Sequence, residues 1–306
     1  MLKLLILFSF LSPLVFGQVI FAPKDSAPKA LVVFLHGCKM DGAQFARTTE
    51  IQEFIENKKI VAIFPSQNDL YNSDHCWNWF LPMNQSRFIS FEHFSILDQV
   101  TKSQAKYKLG SENTYLVGLS SGAAYAMNLV SCFPEKFKGV AIHSGLSYLA
   151  ATDGLYANQA LIDGPQFQAN FTANEAFLCG GKNHHQLKTI LIHGKEDTRV
   201  YPVNFNSTKE HFIELYDLID DGQPNHSFPT VSFESYSHST KSYPYTEFNF
   251  ENSLHEVVLK TIFVDHLEHK WSGGKEGETY ADPKGPKITK LILDYFLTEP
   301  SMRHQE

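Results

Sequence analysis

The chain has 306 residues, of which 43% are hydrophobic and 19% charged, with a formal net charge of −7. That composition excludes a disordered or low-complexity chain. The absence of a basic block argues against nucleic acid as a partner, and the length favours a single α/β domain.

The chain opens with Met1-Leu2-Lys3 and an apolar run from Leu4 to Phe16, interrupted by Pro13. Val15 and Gly17 put modest or small side chains before Gln18. This pattern predicts a signal peptide over residues 1–17, removed on export to the periplasm or the cell exterior. The run is short for a bilayer span, and no later stretch is long and apolar enough, so no stable membrane insertion is expected.

Continuous apolar runs then recur. Ala30–Leu35 and Ile60–Pro65 read as buried strands, as do Thr114–Gly118, Gly139–Ile142, Thr189–Gly194 and Val257–Val264. Helical spacing is read over Phe91–Lys108, Ala123–Cys132 and Lys287–Leu297. Strands alternating with helices predict a mostly parallel sheet with helices on both faces. Thr152–Lys188 and Phe205–Glu256 are polar and weakly periodic, and they read as insertions over the sheet's working edge, suited to forming a lid. Residues 18–306 are thus expected to form one catalytic domain, without repeats or a Thr/Ser/Pro-rich linker to a further module.

Export would put Cys38, Cys76, Cys132 and Cys179 in an oxidising compartment, where an even count favours disulfides. Four cysteines allow three pairings, and spacing does not choose among them. Cys38–Cys76 and Cys132–Cys179 is the working pairing. No C-x-x-C spacing suggests zinc.

The segment that carries chemistry is Gly118-Leu119-Ser120-Ser121-Gly122, between a strand and a helix. That context distinguishes a nucleophile elbow from an ordinary tight turn, because the sharp turn lifts the Ser120 hydroxyl off the sheet edge. Ser121, one position late, is better placed to offer its backbone N–H to an oxyanion. A serine hydroxyl needs a histidine base, and the base needs an acid to fix its tautomer. Asp197 follows the fifth strand, with Glu196 as the rival acid. His266 and His269 follow the sixth strand, and either is a candidate base. Their spacing also suits a metal pair, but no third ligand is apparent, so neither metal nor cofactor is expected. His36-Gly37-Cys38-Lys39 follows the first strand, where a second oxyanion N–H, that of Cys38, is expected. His36 reads as a structural member of that turn.

Taken together, these segments resemble the esterase family of extracellular polyhydroxybutyrate depolymerases, feruloyl esterases and acetylxylan esterases. The resemblance rests on Leu35–Cys38, Cys76-Trp77-Asn78-Trp79-Phe80, Gly118–Ala124 and His143-Ser144-Gly145. It continues through His193–Asp197, Val200, Pro202 and Asn204 to His269-Lys270-Trp271-Ser272-Gly273-Gly274 and Gly285-Pro286. It covers roughly Ala30 to Phe296, in the family's order. The resemblance implies an α/β-hydrolase fold and a triad of Ser120, Asp197 and His269, choosing His269 because it precedes Trp271-Ser272-Gly273-Gly274. It supports a Cys38–Cys76 bridge near the active site. It suggests Trp77, Trp79 and Trp271 as substrate-binding aromatics, with the ordinary core as the other reading of Trp77 and Trp79. Ser121 stands where the family usually has Ala or Gly, and Leu267-Glu268 replaces the usual segment before the histidine.

The expected function is a secreted serine esterase working through an acyl-enzyme. Short or amorphous poly(3-hydroxybutyrate)-type polyester is the expected ester substrate, and feruloyl or acetylxylan esters are the alternative. A peptidase using the same triad and a catalytically silent binding module are the remaining readings.

Overall fold

The computed structural model describes residues 17–87 and 90–298. Residues 1–16 of the expected signal segment lie outside the described residues.

Six strands predicted from apolar runs are present as β2 (Ala30–Leu35), β3 (Ile60–Pro65), β4 (Thr114–Leu119), β5 (Gly139–His143), β6 (Lys188–Gly194) and β9 (Val257–Val264). A short β1 (Gln18–Phe21) precedes them, and a hairpin of β7 (Val231–Ser239) and β8 (Ser242–Glu251) precedes β9. They form one nine-stranded sheet in the order β1-β3-β2-β4-β5-β6-β9-β8-β7. The six strands from β3 to β9 in that order pair in parallel. β1 at one edge, and β8 and β7 at the other, pair antiparallel.

The continuous apolar strands reflect burial on both faces. Leu31, Val33 and Leu35 point into one core, whereas Ala30, Val32 and Phe34 point into the other. The first core is closed by α3 (Phe91–Tyr107), α4 (Ser121–Cys132), α5 (Gly154–Asp163), α6 (Ala169–Gly180) and α7 (Val203–Asp221). The second is closed by α1 (Gly42–Thr48), α2 (Ile55–Lys58) and α8 (Ile288–Leu297). The result is a mostly parallel sheet with helices on both faces, the α/β-hydrolase arrangement.

The two stretches that read as weakly periodic are ordered into regular elements. Residues 152–188 contain α5 and α6, and residues 205–256 contain most of α7 and the β7–β8 hairpin. The buried face of α7 includes Asn204, Thr208 and His211 beside Phe205, Phe212 and Leu215. Polar residues at core positions break the apolar period on which the sequence reading depends. In the hairpin, β7 is exposed along most of its length, so little selects for alternation. The hairpin's turn end reaches the sheet edge where β9 stops: Tyr236 donates to Asp265 at 3.2 Å, and the Tyr243 ring meets His266.

Two disulfides join Cys38 to Cys76 and Cys132 to Cys179. A two-residue parallel ladder pairs β10 (Trp271–Ser272) with β11 (Ala281–Asp282) and pins the chain just after His269. Among the described residues, no helix is long and apolar enough to cross a membrane.

Candidate active site

Three loops meet at the C-terminal edge of the sheet, where open α/β sheets place their ligands. Ser120 follows β4, β6 runs into Asp197, and β9 runs into the loop bearing His269.

Ser120 has φ 56° and ψ −121°, a conformation that costs a non-glycine residue energy and is held only by its surroundings. The surroundings are tight. A Cβ on Gly118 would lie 2.4 Å from the Gly122 carbonyl oxygen, and one on Gly122 would lie 2.2 Å from that of Leu35. Both positions therefore require glycine, because α4 lies directly against β4 and β2 there. The Ser120 N–H donates to the His143 carbonyl at 2.9 Å, which ties the turn to β5.

His269 links the other two loops. Its Nδ1 lies 2.7 Å from Asp197 Oδ2, and its Nε2 lies 2.9 Å from Ser120 Oγ. A carboxylate only accepts, so Nδ1 carries the proton and Nε2 is free to take one from the Ser120 hydroxyl. The Asp197 side chain is fully buried and that of His269 is 17% exposed. Asp197 Oδ1 accepts from the backbone N–H groups of Arg199 and Val200, each at 2.9 Å. Burial alone would raise the Asp197 pKa. The hydrogen bond from His269, the electrostatic attraction of the His269 and His193 rings, and the Arg199 N–H outweigh it and hold the carboxyl below its usual value. A buried carboxylate, an imidazole and a hydroxyl joined in this order can generate a serine nucleophile.

The rivals are set apart. His266 pairs with Glu196 at 2.9 Å on the surface and makes no contact with Ser120. The Ser121 hydroxyl is buried with no hydrogen-bond partner among the described residues. Glu268 faces solvent and pairs with Lys270 at 3.3 Å.

Two supporting histidines, His143 and His193, stand in motif segments that carry the resemblance, but no role was read for them from the sequence. His193 contacts the Val200 carbonyl at 2.8 Å and lies 3.5 Å from Asp197 Oδ2, so it braces the acid's loop. His143 stacks on Trp271 at 5.0 Å and accepts from the Ser272 N–H at 3.3 Å, which braces the loop after His269. Burial lowers the pKa of both. The available signal was position: each stands at or next to the C-terminal end of a parallel strand.

Of the two readings of Trp77 and Trp79, the structure takes the ordinary core and not the substrate wall, and for Trp271 the substrate-binding expectation is corrected. Trp77 and Trp271 are fully buried, and Trp79 is 6% exposed. Trp77 donates its indole N–H to the His36 carbonyl at 3.1 Å, and Trp271 donates to Thr289 Oγ1 at 3.0 Å. Trp79 packs edge-on against Phe80 at 5.6 Å. All three are core residues: their apolar area is buried, and the indole donors of Trp77 and Trp271 are satisfied inside.

A family model described as "Esterase PHB depolymerase" matches residues 19–228. Poly(3-hydroxyalkanoate) depolymerase C of Paucimonas lemoignei is 28% identical over 191 residues, 61% of this chain and 45% of that protein. Feruloyl esterase B of Neurospora crassa is 24% identical over 60% of this chain and 64% of that protein. The chain thus spans less than two thirds of these two relatives. Acetylxylan esterase A of Aspergillus awamori is 23% identical over 72% of this chain and 74% of that protein. The solved acetyl xylan esterase from Aspergillus awamori superposes with a TM-score of 0.69 at 20% identity, covering 92% of this chain and 93% of that one. That likeness shows the α/β-hydrolase fold. With its family model matched over more than half its length, this chain belongs to the esterase PHB depolymerase family.

Proposed function

We propose that this chain is an exported serine esterase that hydrolyses carboxylic esters through an acyl-enzyme on Ser120. One observation carries the reading: the unbroken line from Asp197 through His269 to Ser120, at 2.7 and 2.9 Å. His269 Nε2 takes the proton as Ser120 Oγ attacks the ester carbonyl. The N–H groups of Cys38 and Ser121 receive the oxyanion. His269 then returns the proton to the leaving alkoxide, and water repeats the cycle on the acyl-enzyme. Two disulfides support export to an oxidising compartment.

The substrate we favour is a short or amorphous 3-hydroxybutyrate-type polyester, on the likeness to the depolymerase relatives. Plant cell-wall acetyl or feruloyl esters are the second reading, favoured by the acetylxylan esterase match over 72% of the chain.

The test compares the protein from Gln18 onward with its Ser120→Ala variant. Linear 3-hydroxybutyrate trimer is the first substrate, and methyl ferulate and acetylated xylan are the others. Trimer cleavage lost in the variant supports the polyester reading. Release of ferulate or acetate alone moves the protein to cell-wall esters. Turnover retained within tenfold by Ser120→Ala overturns the mechanism.

A further inference from the structure

Beneath the loop that carries Cys38 lies a buried polar cluster built on a carboxylate. Glu92, at the start of α3, is 4% exposed. Its Oε1 accepts from the Gln67 side-chain amide and from the Asn78 N–H, the latter at 3.2 Å. Its Oε2 accepts from the side-chain amides of Asn84, at 2.5 Å, and Asn78, at 3.4 Å. A carboxyl group removed from water is costly unless its oxygens are satisfied, and here every contact is an N–H donor.

The cluster reaches the site through Gln67. Its backbone N–H donates to His36 Nε2 at 3.0 Å. An N–H is only a donor, so Nε2 accepts and Nδ1 carries the ring proton. That proton faces the Gly37 carbonyl, with Nδ1 2.7 Å from its oxygen. Both contacts of the ring are thereby fixed in sense. The only cis peptide bond among the described residues is Phe228–Pro229, so the Gly37–Cys38 peptide is trans and planar. In such a peptide the C=O and N–H point in opposite directions. Holding the Gly37 carbonyl against His36 therefore turns the Cys38 N–H away from it. This peptide lies beside Ser120: a Cβ on Gly37 would sit 3.4 Å from Ser120 Cβ. Among the described residues the Cys38 N–H has no hydrogen-bond acceptor. The far side of the loop is held by the Cys38–Cys76 disulfide and by the Lys39 N–H on the Asp74 carbonyl at 2.7 Å.

We propose that Glu92 is a positioning residue for the oxyanion hole, acting through Gln67 and His36 to hold the Gly37–Cys38 peptide with its N–H toward the reacting carbonyl. This rests on the serine esterase reading above. Glu92 touches neither substrate nor reacting atoms. Its effect is confined to the transition state, because a misdirected Cys38 N–H weakens oxyanion binding and leaves ground-state substrate binding alone.

The test uses Glu92→Gln and Gln67→Met; the second cuts the side-chain link while leaving the backbone N–H in place. Asp217→Asn is the control, a second carboxylate with little solvent exposure, hydrogen-bonded to residues 226–228 just beyond α7 and away from the Cys38 loop. For Glu92→Gln and Gln67→Met we expect kcat to fall about 10- to 100-fold with KM within twofold. The inhibition constant of a trifluoromethyl ketone, which forms an oxyanion on the serine, should rise by the same factor. Asp217→Asn should lose thermal stability with unchanged kcat and unchanged inhibitor binding. Either site variant retaining wild-type kcat and wild-type trifluoromethyl ketone affinity while folded overturns the proposal. So does an equal fall in kcat for Asp217→Asn. The Ser120→Ala variant separates this from failure of the serine mechanism itself: an active Ser120→Ala removes that mechanism, whereas an inactive one leaves Glu92 to be judged on its own.

Discussion

Two carboxylate–histidine pairs stand side by side at the end of the sheet. Asp197 pairs with His269 at 2.7 Å, and Glu196 pairs with His266 at 2.9 Å. The four residues come from the same two loops and offer the same chemistry. The first pair has side chains 0% and 17% exposed, and the second 56% and 63%. Only the first is completed by a hydroxyl on one side and by two backbone N–H groups on the other. An exposed ion pair is screened by water and salt and contributes little, whereas a buried, fully hydrogen-bonded carboxylate fixes a tautomer and an orientation. Composition and spacing do not separate the pairs; burial and direction do.

The largest break in this comparison should come from the buried acid. Asp197→Asn keeps the shape but no longer favours the Nδ1-protonated tautomer, so kcat on a soluble ester should fall about 10⁴-fold. A loss below tenfold in steady-state assays contradicts the role given to Asp197.

Burial divides the other histidines in the same way, and pH exposes it. Burial lowers the pKa of His36 and His93 to about 4 and that of His143 and His211 to about 3. The folded form thus holds them neutral while the unfolded chain protonates near 6.5. Their contribution to stability is full above pH 6.5 and is lost as the pH falls towards 3–4. Unfolding midpoints measured from pH 7 to pH 4 should drop steeply across that window; a flat profile contradicts the buried, neutral assignment.

A smaller effect belongs to His93, packed between Tyr125 and Phe133 with both ring nitrogens unpartnered among the described residues. Burying an unsatisfied polar group costs about 1–3 kcal/mol. His93→Leu should therefore raise stability by about 1 kcal/mol in denaturant unfolding and flatten the acid limb. Destabilisation there would point to a partner for this ring.

The smallest effect is expected from the exposed pair. Glu196→Gln and His266→Ala should each leave kcat/KM within twofold, and a tenfold loss in either would assign that pair a part in the site.

The same contrast explains what was legible in the sequence. Strands buried on both faces, such as Ala30–Leu35 and Ile60–Pro65, are apolar at every position, so their bounds could be read directly. The elbow at Ser120 was legible because its glycines answer to backbone contacts too close for any side chain. By contrast, α7 hid behind buried Asn204, Thr208 and His211, which interrupt the apolar period. The choice between His266 and His269 came from resemblance, since residue type and spacing fit both. Trp77 and Trp79 were left between substrate contact and core, and Trp271 was read as a substrate contact, because an aromatic beside a motif carries no mark of which side of the loop it packs against. The Gln67–Glu92 network joins residues 25 positions apart, with no periodic pattern to reveal it.

The central claim is that Ser120 is the nucleophile, and it is tested most directly by labelling the native protein with a fluorophosphonate and mapping the adduct by peptide mass spectrometry. We expect one modified site, Ser120, with esterase activity lost in step with labelling and with Ser120→Ala unlabelled. Labelling at Ser121 or another serine, or full activity after stoichiometric labelling of Ser120, would contradict it.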